Sequence, residues 1–298
     1  MCAGSELKPA SFAVVPSGER FENAGRGDKP RRMAGPGSLL LRYPLLQRVA
    51  QAWRSWWLQR PHKSQLVSFP VIAGRQCKRI VFRDSFLAAR VEATFEQFGP
   101  SDCLPRLLQR YENEIWVEFV DGEPVEGDPR TAAEVGDFFR TVHSRNARLV
   151  PIAETVFLDR ARSDALGLAY LGVIRASEAD QLSALAQRLA PERLWVGFDY
   201  LDPVLKNFVR RPDGRLVAVD VEALRFDEMI GTGLAKCCTR WLLDRGRVLA
   251  QADQAVPGLS RYFSFVELCF LLRWTKRSFV QGKQRSVDPD RLRRLLAV

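Results

Sequence analysis

Residues 197–224 read GFDYLDPVLKNFVRRPDGRLVAVDVEAL, and the placing of their polar groups decides how the rest of the chain is read. Asp202 stands five residues before Asn207, and Asp220 follows Asn207 by thirteen, directly behind the apolar run Leu216–Val219. Arg211-Pro-Asp-Gly214 supplies the Pro, Asp and Gly that a chain reversal needs. The flanking Phe208–Val209 and Leu216–Val219 have strand composition. The stretch predicts a β-hairpin that holds two carboxylates and an amide at its outer ends.

Phosphoryl transfer uses such a set: one carboxylate orients a hydroxyl, while an amide and a second carboxylate hold magnesium against nucleotide phosphates. The D-x4-N-x12-D spacing resembles the catalytic loop and magnesium-binding segment of the protein-kinase-like superfamily. That resemblance implies that Asp202 orients the acceptor, that Asn207 and Asp220 bind Mg2+, and that Lys206 offsets charge on the transferred group. Val221-Glu222 after Asp220 is similar to the Asp-x-Glu of small-molecule kinases, which gives Glu222 a second magnesium to support. Asp199 imitates the family's aspartate locally, since Gly-Phe-Asp is similar to His-Gly-Asp. It lies eight residues from Asn207, however, where Asp202 lies five. Tyr200 stands where the family has a bracing histidine.

Composition bounds the alternatives. A chain of 298 residues with 46% hydrophobic content can bury a core large enough for two lobes. No apolar run reaches the length of a membrane span, and the N-terminus lacks a signal-peptide layout, so a cytoplasmic protein is expected. Six cysteines without a CxxC pair and two histidines argue against a zinc site or a disulfide framework. The net charge of +10 attracts acidic partners: nucleotides, anionic lipids, phosphorylated glycans or nucleic acid. Nucleic acid ranks low, because no zinc-finger spacing, aromatic RNA motif or Arg-rich arm is present.

Residues 1–37 are rich in Gly, Pro, Ser and charge and read as a disordered leader. Within 38–63, Leu45, Leu46, Val49, Trp53, Trp56 and Trp57 recur at helical spacing opposite Arg48 and Arg54. This amphipathic helix has two readings: it packs on the folded body, or it lies peripherally on an anionic membrane at its inner face. A second hairpin is expected over Leu66–Ile72 and Cys77–Phe82. A helix capped by Asp84 follows to Phe98 with Phe86, Val91, Phe95 and Phe98 inward, then strands at Leu104–Leu108 and Ile115–Val120. Further helices are expected from 128 to 144, from Ser177, from Gly231 to Leu243 and over Tyr262–Ser278.

This order resembles the aminoglycoside phosphotransferase and lipopolysaccharide core (Kdo/heptose) kinase families from about Val67 to Ser278. The resemblance implies an α+β, two-lobed protein-kinase-like fold with a β-rich N-lobe over 64–121 and a helical C-lobe over 122–298. It further implies that Lys78 pairs with Glu92 at the nucleotide phosphates, with Arg79 and Arg83 as alternatives by strand register. Trp116–Gly127 is similar to the family's hinge, so the backbone near Glu118 and Val120 meets the adenine edge. His143 ends a helix and is structural. The implied reaction transfers the ATP γ-phosphoryl group, with Mg2+, to a hydroxyl of a small molecule or glycolipid sugar. There is no G-x-G-x-x-G over the phosphates, only Gly74; with Tyr200, this keeps a pseudokinase or nucleotide-binding scaffold open as a second class. The basic run Arg273–Arg294 has two readings, a solvated helical face or a patch for an anionic substrate.

Overall fold

The computed structural model describes residues 65–127, 129–240, 244–283 and 289–296. All of these fall within the compact unit 53–298, one of two into which the chain divides. The expected leader over 1–37, the amphipathic helix within 38–63 and Cys2 lie outside the described residues.

The N-terminal part is an antiparallel sheet with one helix against it. Strands β1 (Gln65–Ser68), β3 (Arg75–Phe82), β4 (Leu107–Tyr111) and β5 (Glu114–Glu118) lie in the order β1-β3-β5-β4. The short β2 (Val71–Ile72) pairs with the start of β3 around Ala73-Gly74. Strand β3 is β-rich in composition and buries Ile80 and Phe82 on one face, which places Lys78 on that same face nearer the turn.

Helix α1 (Ser85–Phe98) begins where Asp84 Oδ1 accepts the Leu87 N–H at 2.9 Å. It buries Ala88, Val91, Phe95 and Phe98, a stripe at steps of three and four. Each such Val or Phe contributes about 1.5–3 kcal/mol by leaving water. Phe86, expected on the inner face, is 72% exposed; it precedes Ala88 by two positions, about 200° around the helix.

The larger part opens with β6 (Glu123–Pro124) and α2 (Pro129–His143), which buries Val135, Phe138, Phe139 and Val142. Gly122 before β6 is required by contact: a Cβ there would lie 2.3 Å from the Arg210 carbonyl oxygen. Strand β7 (Arg148–Pro151), helices α3 (Phe157–Tyr170) and α4 (Ala176–Leu189), and β8 (Arg193–Tyr200) follow. The hairpin forms where expected, as β9 (Phe208–Arg210) and β10 (Leu216–Ala218), with Phe208 opposite Ala218. The Gly214 N–H closes its turn on Arg211 O at 2.9 Å. Strand β11 (Leu224–Met229) pairs with β8, giving sheets β6-β9-β10 and β7-β8-β11.

Helices α5 (Thr232–Arg240), α6 (Arg245–Ala255), α7 (Leu259–Val280) and α8 (Pro289–Leu296) complete the described chain. Helix α7 buries Phe263, Val266, Phe270 and Leu271 as expected, and α6 packs on α2. Much of the C-terminal basic run is tied down: Lys276 binds Asp164 at 2.7 Å, and Arg293 binds Glu178 at 2.9 Å. Among the described residues, no single helix is long and apolar enough to cross a membrane, and the five cysteines form no disulfide.

Candidate active site

The hairpin and the loop before it bring the three spaced residues together. Asn207 ends a 3-10 turn (Leu205–Asn207) and is buried, so its amide must find partners. Its Nδ2 donates to Asp202 O at 2.9 Å and to Asp220 Oδ2 at 3.2 Å, with Asp202 Oδ2 at 3.4 Å. The Val219 N–H donates to Asn207 O at 2.7 Å, fixing the strand end that presents Asp220. One amide thus joins both carboxylate segments.

Lys78 reaches this assembly from β3. Its Nζ donates to Val219 O at 2.5 Å, the carbonyl immediately before Asp220. Glu222 sits beyond Asp220 and accepts from Gln65 Nε2 at the start of β1. Burial, then the neighbouring Asp220 charge, pushes Glu222 up to about 8, with Lys78 pulling the other way. Tyr200 is fully buried, and burial with the charges of Asp220, Glu222 and Asp202 raises its phenol well above the ordinary range.

A second set of contacts supports the loop from behind. Asp199 is fully buried; its Oδ1 accepts the Tyr200 N–H at 2.8 Å and lies 3.2 Å from His143 Nε2. Its Oδ2 accepts the Gly233 N–H in the first turn of α5 at 3.0 Å. Gly233 admits this approach because it lacks a side chain: a Cβ would lie 2.2 Å from Tyr200 O. One helical turn later, the buried Lys236 pairs with Asp202 Oδ1. Its Nζ also lies 4.9 Å from the Trp274 ring centre. Asp199 and Asp202, three residues apart, are therefore held by Gly233 and Lys236, also three apart.

The fold matches solved structures. The choline kinase LicA from Streptococcus pneumoniae superposes with a TM-score of 0.57 at 13% identity, over 85% of this chain and 99% of that one. A thermostable aminoglycoside phosphotransferase APH(4)-Ia, in complex with ADP and hygromycin B, gives 0.55 at 14% identity over 79% and 90%. The macrolide 2'-phosphotransferase MphH from Brachybacterium faecium gives 0.54 at 13% over 76% and 87%. The chain has the protein-kinase-like fold. No family model matches the sequence, and no curated protein does either.

In a kinase-like fold the small sheet and its helix supply the nucleotide's phosphate contacts, and here the expected Lys78–Glu92 pair is absent. Glu92 is bound instead by Arg110 of β4, because α1 packs along β4 and β5 and turns that carboxylate to the strand. The alternative Arg79 faces away: its Nε donates to Glu114 Oε2 at 2.7 Å, and its guanidinium lies 5.5 Å from the Trp116 ring centre. Arg83 is exposed. Lys78 is the cation that reaches the hairpin. Lys206 lies exposed on the turn before Asn207 and has no polar partner among the described residues.

At the hinge, Glu118 spends its N–H on Arg106 O at 2.9 Å, which removes it as an adenine donor. Its carboxylate lies 3.5 Å from Arg106 Nε and 3.6 Å from Arg211. The backbone of Val120 makes no hydrogen bond to other backbone among the described residues, although its side chain is buried. A cavity of 480 Å³ opens beside this segment, lined by Gln76, Cys77, Leu108, Glu118, Phe119 and Asp121 among others.

The donor set fits a magnesium nucleotide. Asp220, Asn207 and Glu222 offer hard oxygen atoms, and Glu222 Oε2 is buried without a hydrogen-bond partner. Two carboxyl groups crowded so closely that one retains a proton are relieved by a divalent cation. No group of three or more His, Cys, Asp or Glu side chains able to hold a metal occurs among the described residues. One or two carboxylates completed by phosphate oxygens is the usual magnesium arrangement. Sequence reasoning missed Lys236 and Trp274; no local spacing signals either, since Lys236 meets Asp202 across thirty-four residues.

Proposed function

We propose that the protein is an ATP-dependent phosphotransferase acting on a hydroxyl of a small molecule or glycolipid sugar, with a lipopolysaccharide core-type acceptor favoured. The observation that carries this reading is the Asn207 amide, which links Asp202 to Asp220 while Lys78 approaches from the sheet. The cytoplasm, where ATP is supplied, is the proposed location. Contact of the 38–63 segment with an anionic membrane belongs to the same proposal, since a glycolipid acceptor is presented at a membrane.

Asp202 exposes 43% of its side chain and keeps one carboxylate oxygen off Lys236, so it can accept a hydrogen bond from the incoming hydroxyl and then its proton. Lys236 fixes the rotamer of that carboxylate. Asn207 and Asp220 would hold magnesium, with Glu222 beside them. Bound there, the ion would neutralise charge on the β and γ phosphates. Lys78 would exchange the Val219 carbonyl for a phosphate oxygen, and the backbone at Val120 would meet the adenine edge.

The test is ADP formation from ATP and Mg2+ with choline, an aminoglycoside and a Kdo- and heptose-containing core oligosaccharide as acceptors. Acceptor-dependent turnover with the oligosaccharide, lost in Asp202→Asn, is expected. Nucleotide binding without turnover of any acceptor would replace this reading by a nucleotide-binding pseudokinase, which Tyr200 in the bracing position favours.

A further inference from the structure

The loop carboxylate Asp202 is bordered by two cations that share one aromatic ring. Lys236, whose Nζ pairs with Asp202 Oδ1, also lies 4.9 Å from the Trp274 ring centre. Arg240 ends the same helix α5, and its guanidinium carbon lies 5.2 Å from that ring. Positions four apart share a helix face and stand about 5–6 Å apart at Cβ. Arg240 is therefore one turn from the Lys236–Asp202 pair, on the face that meets Trp274 of α7.

The two cations differ in what they have left to give. Lys236 is buried, with 9% of its side chain exposed, and its charge is spent on Asp202. Arg240 is exposed and forms no ion pair or side-chain hydrogen bond among the described residues. A helix C-terminus accommodates a cation, which accounts for the charge at this position but leaves the guanidinium N–H donors open. The Trp274 Nε1–H adds a buried donor without a partner.

A cationic molecule arriving at Asp202 has two natural partners, a carboxylate and an aromatic face. Both are taken here. Asp202 is paired with Lys236, and the Trp274 ring carries Lys236 and Arg240 and stacks on Phe270 at 6.0 Å. A third cation would meet two like charges, whereas an oxyanion meets open guanidinium donors of the paired kind that suit it. We infer that the acceptor is an acidic molecule: its carboxylate or phosphate group binds Arg240 beside Trp274 while its hydroxyl lies at Asp202, and cationic acceptors are rejected. The role of the hydroxyl rests on the phosphotransferase reading above; selection by charge at Arg240 does not.

The test uses the full chain with saturating ADP and Mg2+ at constant ionic strength. Its melting temperature is measured with pyranoses that differ in charge: D-glucuronate, D-glucose 6-phosphate, D-glucose and D-glucosamine. One or both acids should raise it, the stronger naming the group, while glucose raises it less and glucosamine not at all. Acetate and inorganic phosphate, which carry the charge without the ring, should fall short of the acids. Arg240 is exposed, so its variants should fold. Arg240→Gln should lose most of the acid-induced rise, and Arg240→Glu should lose it and give glucosamine a rise instead; a structural role would leave the order of the probes unchanged. In the turnover assay with the core oligosaccharide, Arg240→Gln should raise KM about tenfold, the loss of one charged contact.

No rise with either acid, an equal rise with glucosamine or with the ringless anions, or an acid-induced rise retained in Arg240→Gln would overturn the site. An unchanged KM for the oligosaccharide in that variant would overturn its acceptor role. If the acids bind but ADP does not stabilise the protein, the phosphotransferase reading fails and the acceptor role falls with it. If ADP stabilises the protein and neither acid does, only the present inference fails.

Discussion

The two sides of the cleft are built differently. On the larger side, Asp202, Asn207 and Asp220 are joined through one amide, and Lys236 and Gly233 hold the loop from a helix behind it. On the smaller side, Lys78 is the cation that reaches the carbonyl before Asp220, and Glu92 is occupied by Arg110. The groups proposed to orient the reacting atoms are thus fixed within the larger part. The small sheet contributes a single charge on a flexible stem, steadied by a carbonyl of the opposite side rather than by its own helix.

Substitutions can break this contrast, and the largest effect belongs to the loop. Asp202→Asn fills the same space but cannot take the hydroxyl proton, so turnover should fall about 10²- to 10⁴-fold with ATP affinity nearly unchanged. Steady-state kinetics beside an ATP titration check both halves; full activity would remove Asp202 from its role. Asp199→Asn is the paired control. It should leave turnover per folded molecule within a few fold but lower stability by about 1–3 kcal/mol, since a buried acceptor of three contacts is disturbed. Urea unfolding measures it.

Lys236→Met keeps the stem beside Trp274 and removes the charge on Asp202. A loss of about 10- to 10²-fold in kcat with unchanged KM for ATP is expected from misplacement of the carboxylate. An unchanged kcat would make the ion pair structural only. On the other side of the cleft, Lys78→Met should weaken ATP by at most about tenfold, since the full worth of one charged hydrogen bond is offset by the Val219 carbonyl that Lys78 gives up, whereas Glu92→Gln should alter it less than about twofold. Equal losses in the two variants, measured by calorimetry, would restore the pair that the geometry lacks.

The smallest effect on activity lies far from the cleft. Glu178 accepts the Arg175 N–H and ties Arg293 of α8 to α4, and these contacts hold its carboxyl down to about 2. Because the folded value lies below the ordinary one, this stabilisation is complete above about pH 4.5 and is lost as pH falls towards 2. Glu178→Gln should lower the melting temperature modestly at neutral pH and flatten its decline in acid, with turnover unaffected. Parallel melting curves in acid would refute the assignment.

What could be read from the sequence was local. The hairpin register follows from a turn and two apolar runs, and the spacing of Asp202, Asn207 and Asp220 is set within one supersecondary unit. Helix α1 was legible through Asp84 and Phe98, and failed only at Phe86, where an aromatic residue off the stripe was counted as core. Lys236 was not legible, because it meets Asp202 across thirty-four residues and only the close approach at Gly233 brings them together. Glu92 was assigned by resemblance; its actual partner depends on how α1 lies across β4, which no periodicity specifies. Helix α6, with its mixed Arg, Gln and Ala composition, gives a weak apolar stripe and owes its place to packing on α2.

The hold of Val219 O on Lys78 bears on timing. An amine already satisfied must leave one acceptor to gain another, so an arriving phosphate receives only the difference between the two bonds. Departure is eased by the same amount, because the vacated carbonyl recaptures the amine as the nucleotide withdraws. Under the proposed phosphotransferase function, the carbonyl would act as a built-in competitor, favouring rapid exchange of spent nucleotide over long residence.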